Sequence, residues 1–296
     1  MTAFHSSPRM LGQKQDKFWL TVGLCALTAA LIFLPFYLLD GGFFHYAGDF
    51  NSQQISFYRY MNGFIKGAGY PDSAFTSVHN TFSWATDLGS GVMNAYSFYL
   101  YGSPFFWFSL LFPQNWLPYL MVPLLVLKFA VAGGGAYRYL RRYVQNANFA
   151  VLGACLYALS GFAVYNVFFN HFVDVVALFP YLLWSLDEAL YNDRRSWFAF
   201  WVAVNLVNNY FFFIGQVLFL VIYFICKLSA GDFRLTAKKF GLLAFESVLG
   251  VAMGSILLVP AVLSILQNPR TIDLSSGWGF LTYSKVQQLS LIHISE

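Results

Sequence analysis

Apolar positions run along this chain in long blocks, with the polar residues gathered between them. The first block, FWLTVGLCALTAALIFLPFYLL (18–39), is long enough to cross the hydrocarbon core, which takes about 17–25 helical residues. Further blocks follow at about 116–138, 149–169, 172–191, 197–212, 214–229 and 240–266. Each predicts a membrane helix. The alternating segments of about ten residues that mark a transmembrane barrel do not occur, and neither does a tandem repeat. The expectation is an all-α, polytopic membrane protein of about seven transmembrane helices.

Composition agrees with that class. Of the 296 residues 58% are hydrophobic and only 10% charged, whereas a soluble domain carries about 25% charged residues. A net charge of +4 would point to nucleic acid in a soluble protein. Here the basic residues sit at the ends of apolar blocks, where they orient the chain in a membrane, so nucleic acid is not an expected partner. Cys25, Cys155 and Cys226 all fall inside apolar blocks, with no disulfide or zinc spacing. They read as buried packing thiols.

Charge fixes the sidedness. Twelve of the 17 basic residues lie in the N-terminal tail (1–17) or in the loops around 138–147, 192–196 and 227–239. The positive-inside rule puts all four on the cytoplasmic side. The block at 18–39 is too long for a signal-peptide core and reads as a retained signal-anchor, leaving the N-terminus cytoplasmic. One crossing out and one back, at 116–138, then account for Arg138. The aromatic segment 92–113, interrupted by Gly102 and Pro104, is therefore read as an interfacial or re-entrant helix, the alternative being a further span. Residues 18–266 form one transmembrane domain, 40–113 its large first outer loop with interfacial helices, and 267–296 an outer-side tail expected to be truncated.

That sidedness gives the few loop charges their interest. Asp49 opens a helical pattern in which Asp49, Gln53, Phe57, Tyr60 and Phe64 share a face. It is either an N-cap or a functional carboxylate, and the two roles are compatible. His171 and Asp174, spaced i and i+3, project together from a second outer turn. They are either solvated or, with Asp49, candidate oxygen and nitrogen ligands for a divalent cation. Asp87 stands in a turn-like DLGSG stretch. Arg59 and Lys66 face phosphate, of a substrate or of ordinary headgroups. Lys128, central in its block, needs a partner, and Glu246 is the acid inside another span. The pair is either structural or part of a proton path. Asn205, Asn208 and Asn209 are read as interhelical hydrogen-bonding amides.

Four stretches in order, AGDFNSQQISFY, WATDLGSGVMNAYSFYLYGSPF, HFVDVVALFPYLLWSLDEALY and NNYFFFIGQVLFLVIYF, resemble the bacterial YfhO family over about residues 15–290. The chain resembles the N-terminal portion of its members. That family is similar to GT-C glycosyltransferases, which take a sugar from a polyprenyl-phosphate donor. The resemblance implies a GT-C-like fold in the bacterial cell membrane, with Asp49 as catalytic carboxylate and His171 and Asp174 near the same pocket. Gln53, Arg59 and Asp87 are the implied substrate-binding residues. The implied partners are membrane lipid, the polyprenyl-phosphate donor and a cell-envelope polymer acceptor.

Two other functions remain open: a transporter or flippase of a lipid-linked intermediate, and a non-catalytic scaffold for envelope assembly. A transporter concentrates its polar groups near the membrane midplane, whereas the acidic positions here are expected at the outer surface. The sidedness itself is testable. With the native cysteines replaced, cysteine at Ser73 should react with an impermeant thiol reagent added outside, and cysteine at Asn192 should not. Labelling of both from one side would overturn the topology.

Overall fold

The apolar blocks fold as helices throughout the computed structural model, which describes residues 16–46, 48–66, 82–84, 86 and 89–266. Helix α1 is Phe18–Leu39, and the loop after it carries α2 (Ser56–Lys66), α3 (Val92–Tyr96) and α4 (Pro104–Ser109). The bundle continues with α5 (Leu117–Leu140), α6 (Ala147–Ala158), α7 (Gly161–Tyr165) and α8 (Asn170–Asn192). It ends with α9 (Trp197–Asn208), α10 (Tyr210–Ser229) and α11 (Ala237–Leu266). A two-residue strand pair, Phe82–Ser83 with Ser90–Gly91, is the one sheet among the described residues. This is an all-α polytopic membrane protein.

Five helical stretches are long and apolar enough to cross a membrane: Phe18–Leu39, Gln114–Leu140, Ala147–Asn192, Tyr210–Ser229 and Ala237–Leu263. The blocks expected at 149–169 and 172–191 form one of them, broken at Leu159–Ser160 and again at Phe169. Helix α6 holds only 12 residues, about 18 Å at 1.5 Å per residue, so α7 and a 3-10 turn (Asn166–Phe169) extend it. Helix α9 is equally short and stops where Asn209 turns extended, at φ −159° and ψ 99°. The Asn209 side chain then accepts from Phe212 N and caps α10.

Helices α5 and α8 run in the same direction, side by side. Lys128 meets Asn170 and Asp174, the Tyr181 hydroxyl donates to the Val131 carbonyl at 3.1 Å, and Arg142 meets Glu188. Small residues bring the helices close: Gly133 lies against Cys25 of α1, and Gly135 against the Tyr181 ring. Cys25 and Cys155 pack together with their sulfurs 3.7 Å apart. Cys226, expected inside, is exposed on α10, on a helix whose flank (Ile214, Leu218, Ile225) faces outward.

The four basic segments converge at one end. Lys17 reaches Asn148, Arg138 lies over the Phe18 and Trp184 rings, Lys227 over the Tyr143 ring, and Lys239 bonds the Leu190 carbonyl. The opposite end carries the loop helices. There the segment 92–113 is a broken helix: α3, a π-helical turn (Ser97–Tyr101) and α4, parted at Gly102–Ser103. The break is pressed against the end of α9, where a Cβ on Gly102 would stand 1.5 Å from the Val207 carbonyl oxygen. Backbone cannot yield as a side chain does. Gly102→Val should therefore lower stability by about 1–3 kcal/mol, the usual cost of overpacking, read as a drop in Tm in detergent. An unchanged Tm would mean that this contact does not hold α9 to the loop.

Candidate functional site

At the loop end, charged and polar side chains that the sequence scatters over the chain are gathered in the interior. Lys128 Nζ lies 2.5 Å from Asp174 Oδ1, and both side chains are buried. The ammonium also donates to Asn170, at 2.7 Å to Oδ1 and 3.0 Å to the carbonyl. The second Asp174 oxygen accepts from the Ser103 hydroxyl, and Ser103 Oγ in turn caps α4 by accepting from Phe106 N at 3.2 Å. Tyr58 of α2 packs beside the group, close to Ser103, Asn170 and Asp174. Burial, reinforced by the Asp174 carboxylate, pushes its hydroxyl well above the ordinary tyrosine range, so Tyr58 stays neutral.

Around this knot lie buried polar atoms with no hydrogen-bond partner: both side-chain atoms of Gln54, Asn170 Nδ2, and both ring nitrogens of His171. Four aromatic rings, of Phe98, Tyr99, Phe169 and Phe172, surround His171 with centroids 4.5–6.4 Å away. Burying an amide or imidazole unpaired costs on the order of 1–3 kcal/mol each. Several such groups together make this the candidate site among the described residues.

The structure moves some of the expected residues. Lys128 pairs with Asp174, not with Glu246. Glu246 lies at the basic end, where Oε1 accepts from Ser196 N at 3.1 Å. His171 and Asp174 are not solvated at a surface turn; they are 4% and 1% exposed, because the turn falls at 159–169 and α8 already begins at Asn170. The helix following Asp49 presents Phe50, Gln54, Tyr58 and Met61 inward, one residue round from the face expected through Gln53 and Phe57. The observed set keeps the expected spacing of 4, 4 and 3 residues and is displaced by one position, starting inside a π-helical turn, Phe50–Ile55. Gln53 is half-buried and Arg59 exposed on the flank. Asp87 lies outside the described residues.

Asp49 sits at the head of that π-helical turn, half-exposed, with no side-chain capping bond. Among the described residues it has neither a hydrogen bond nor an ion pair. Its neighbour Gly48 takes the left-handed φ of +57°, and a Cβ there would stand 2.4 Å from the Phe168 ring. The Asp49 segment is thus docked on the 3-10 turn just before His171 and Asp174.

A divalent cation does not fit these residues. Asp174 is already neutralised by Lys128, whose ammonium would repel a metal, and no three His, Cys, Asp or Glu side chains converge among the described residues. Sequence reasoning missed Gln54, Tyr58, Ser103 and Asn170. Only Ser103, ahead of Pro104 at a helix start, carried a local signal.

A family model described as bacterial membrane protein YfhO matches residues 23–284. The chain belongs to the YfhO family. No curated protein and no solved structure gives a match. The match spans both the Asp49 loop and the Lys128–Asp174 knot, so the site lies wholly within the YfhO region.

The knot can be dissected. Lys128→Met or Asp174→Asn alone leaves a buried charge unpaired and should cost about 3–5 kcal/mol. The double variant should recover much of that loss in a denaturation double-mutant cycle. Lys128 and Glu246 should behave additively, and strong coupling between those two would contradict the pairing described above.

Proposed function

We propose that this YfhO-family chain is the membrane-embedded part of a glycosyltransferase. It would move a sugar from a polyprenyl-phosphate donor to a cell-envelope acceptor at the loop end of the bundle. That end faces out of the bacterial cell and the basic end faces the cytoplasm, in keeping with the positive-inside rule. One observation carries the reading. Of the described acids at the loop end, Asp40 is bonded to His45 and Asp174 to Lys128 and Ser103, while Asp49 has no hydrogen bond or ion pair among the described residues.

Asp49 is then the base. As the acceptor oxygen forms its bond to the anomeric carbon, the carboxylate takes the hydroxyl proton. The carbon–oxygen bond to phosphate breaks, and the lipid phosphate departs with the electron pair. No second carboxylate nucleophile is needed, which fits inversion. Lys128 and Asp174 act as positioning residues through Ser103 and Asn170. Gln54 and His171 offer unpartnered polar atoms to the sugar, and Gln53 and Arg59 lie on the flank open to the donor phosphate.

The buried Lys128–Asp174 pair, halfway along α5, is the observation that favours a transporter or flippase instead. Asp49→Asn in the full-length protein separates the two. It keeps the shape but cannot take a proton, so transfer should fall about 10²–10⁴-fold with insertion and folding intact. Near-normal transfer by that variant would remove Asp49 as the base. Lipid translocation without any transfer would favour the transporter.

A further inference from the structure

The break between α9 and α10 adjoins the candidate site from a side that the mechanism above does not use. A Cβ on Gly102 would stand 2.8 Å from Asn208 Cα, and the next residue, Ser103, bonds Asp174. Just past the break, the Phe212 ring lies 4.6 Å from that of Phe172, which lies 4.5 Å from His171. The break therefore stands against both the Ser103 turn and the first turn of α8. Non-helical backbone at membrane depth occurs where it is buried in protein or lines a cavity, and interrupted helices of this kind hold the ligand in many transporters.

Two amides at the break have atoms to spare. Asn209 Oδ1 is used, accepting from Phe212 N, but Asn209 Nδ2 and Asn208 Oδ1 are buried without a hydrogen-bond partner. They add a donor and an acceptor to the two bare ring nitrogens of His171. A wholly apolar guest would leave all of these unanswered. An ion would find Lys128 and Asp174 already answering each other. A sugar answers them, since each hydroxyl both donates and accepts. The half-buried Phe98 ring, 5.0 Å from His171, supplies the apolar wall that such sites combine with a few polar groups.

The way in selects a lipid-linked sugar. Phe98 also meets the exposed Phe211, with centroids 6.2 Å apart, and Phe211 heads an outward apolar flank with Ile214 and Leu218. A guest reaching the break along that flank travels in hydrocarbon and needs an apolar tail. We propose that the sugar donor enters here, sideways from the membrane between Phe98 and Phe211. Asn208, Asn209 and His171 hold its sugar, and its polyprenyl chain lies along α10. The inference rests on the transferase reading and adds to it the donor's subsite and route.

Native mass spectrometry of the full chain in mild detergent tests this, with decaprenyl phosphate as probe, bare or carrying glucose, mannose or N-acetylglucosamine. At least one sugar-carrying lipid should be retained over the bare phosphate. Asn208→Leu keeps the shape and removes the acceptor. It should weaken that retention about fivefold, the worth of one neutral hydrogen bond, and leave the bare lipid unchanged. Phe211→Ser, on the exposed flank and outside the interior packing, should weaken all of the lipids about threefold, because they share the route. Equal retention of bare and sugar-carrying lipids by the parent chain would overturn the proposal. Sugar-dependent retention that neither substitution changes would overturn the subsite while supporting the transferase reading. Retention of none of the lipids would count against both.

Discussion

A lysine ammonium and an aspartate carboxylate, 2.5 Å apart and shielded from solvent, are the constraint on which the loop end depends. Removing two such charges from water costs several kcal/mol per ion, and their attraction offsets this only if their other hydrogen-bonding positions are filled. The fillers come from separate parts of the chain: Asn170 from α8 itself and Ser103 from the break before α4, with Tyr58 of α2 packed alongside. The loop after α1 is therefore not a cover laid over a finished bundle. It supplies a polar group without which the Lys128–Asp174 pair would be a liability.

The same two helices are clamped again at the basic end. Arg142 lies between Asp187 and Glu188, Tyr143 and Tyr223 donate to Asp187 at 2.5 and 2.9 Å, and all three charged groups are buried. Fourteen residues separate Lys128 from Arg142, and fourteen separate Asp174 from Glu188. Fourteen residues are close to four turns of an α-helix, so Asp174 and Glu188 lie on nearly one face of α8, while Arg142 stands in the turn just past the end of α5. With α8 held to α5 at one clamp and to the turn after α5 at the other, sliding or rotation of the pair would unpair buried charge. Between the clamps, Gly133 and Gly135 allow the contact to be close.

The helical class, the separation into a basic end and a loop end, and the broken character of 92–113 were legible in the sequence. They follow from block length, charge placement and the Gly102–Pro104 interruption, all of which act locally. The partner of Lys128 was not legible. Assigning 149–169 to one straight span put Asp174 at the surface and left Glu246 as the apparent partner. The early end of α6 and the extra turns of 161–169 lower α8 into the bundle instead, and nothing in the hydropathy of that stretch announces it. The inward face of the helix after Asp49 was missed for a comparable reason. A 3.6-residue period fits the set starting at Asp49 and the set starting at Phe50 equally, only packing chooses between them, and the shift of one residue replaces Gln53 and Phe57 with Gln54 and Tyr58.

These misses alter the chemistry more than the fold. An Asp174 at the surface would have been a second free carboxylate beside Asp49, with His171 completing a set able to hold a cation. Buried and matched to Lys128, Asp174 is electrically spent. Its oxygens are engaged by an ammonium and a hydroxyl, and a proton added there would be added at the expense of the pair. Among the described residues, the buried polar atoms left without partners near Asp49 are the amides of Gln54 and Asn170 and the imidazole of His171. Such groups agree with the proposed sugar transfer, since sugar hydroxyls need donors and acceptors but no counter-charge. In the same proposal, the exposed Arg59 on the outer flank of α2 is the cation assigned to the departing phosphate.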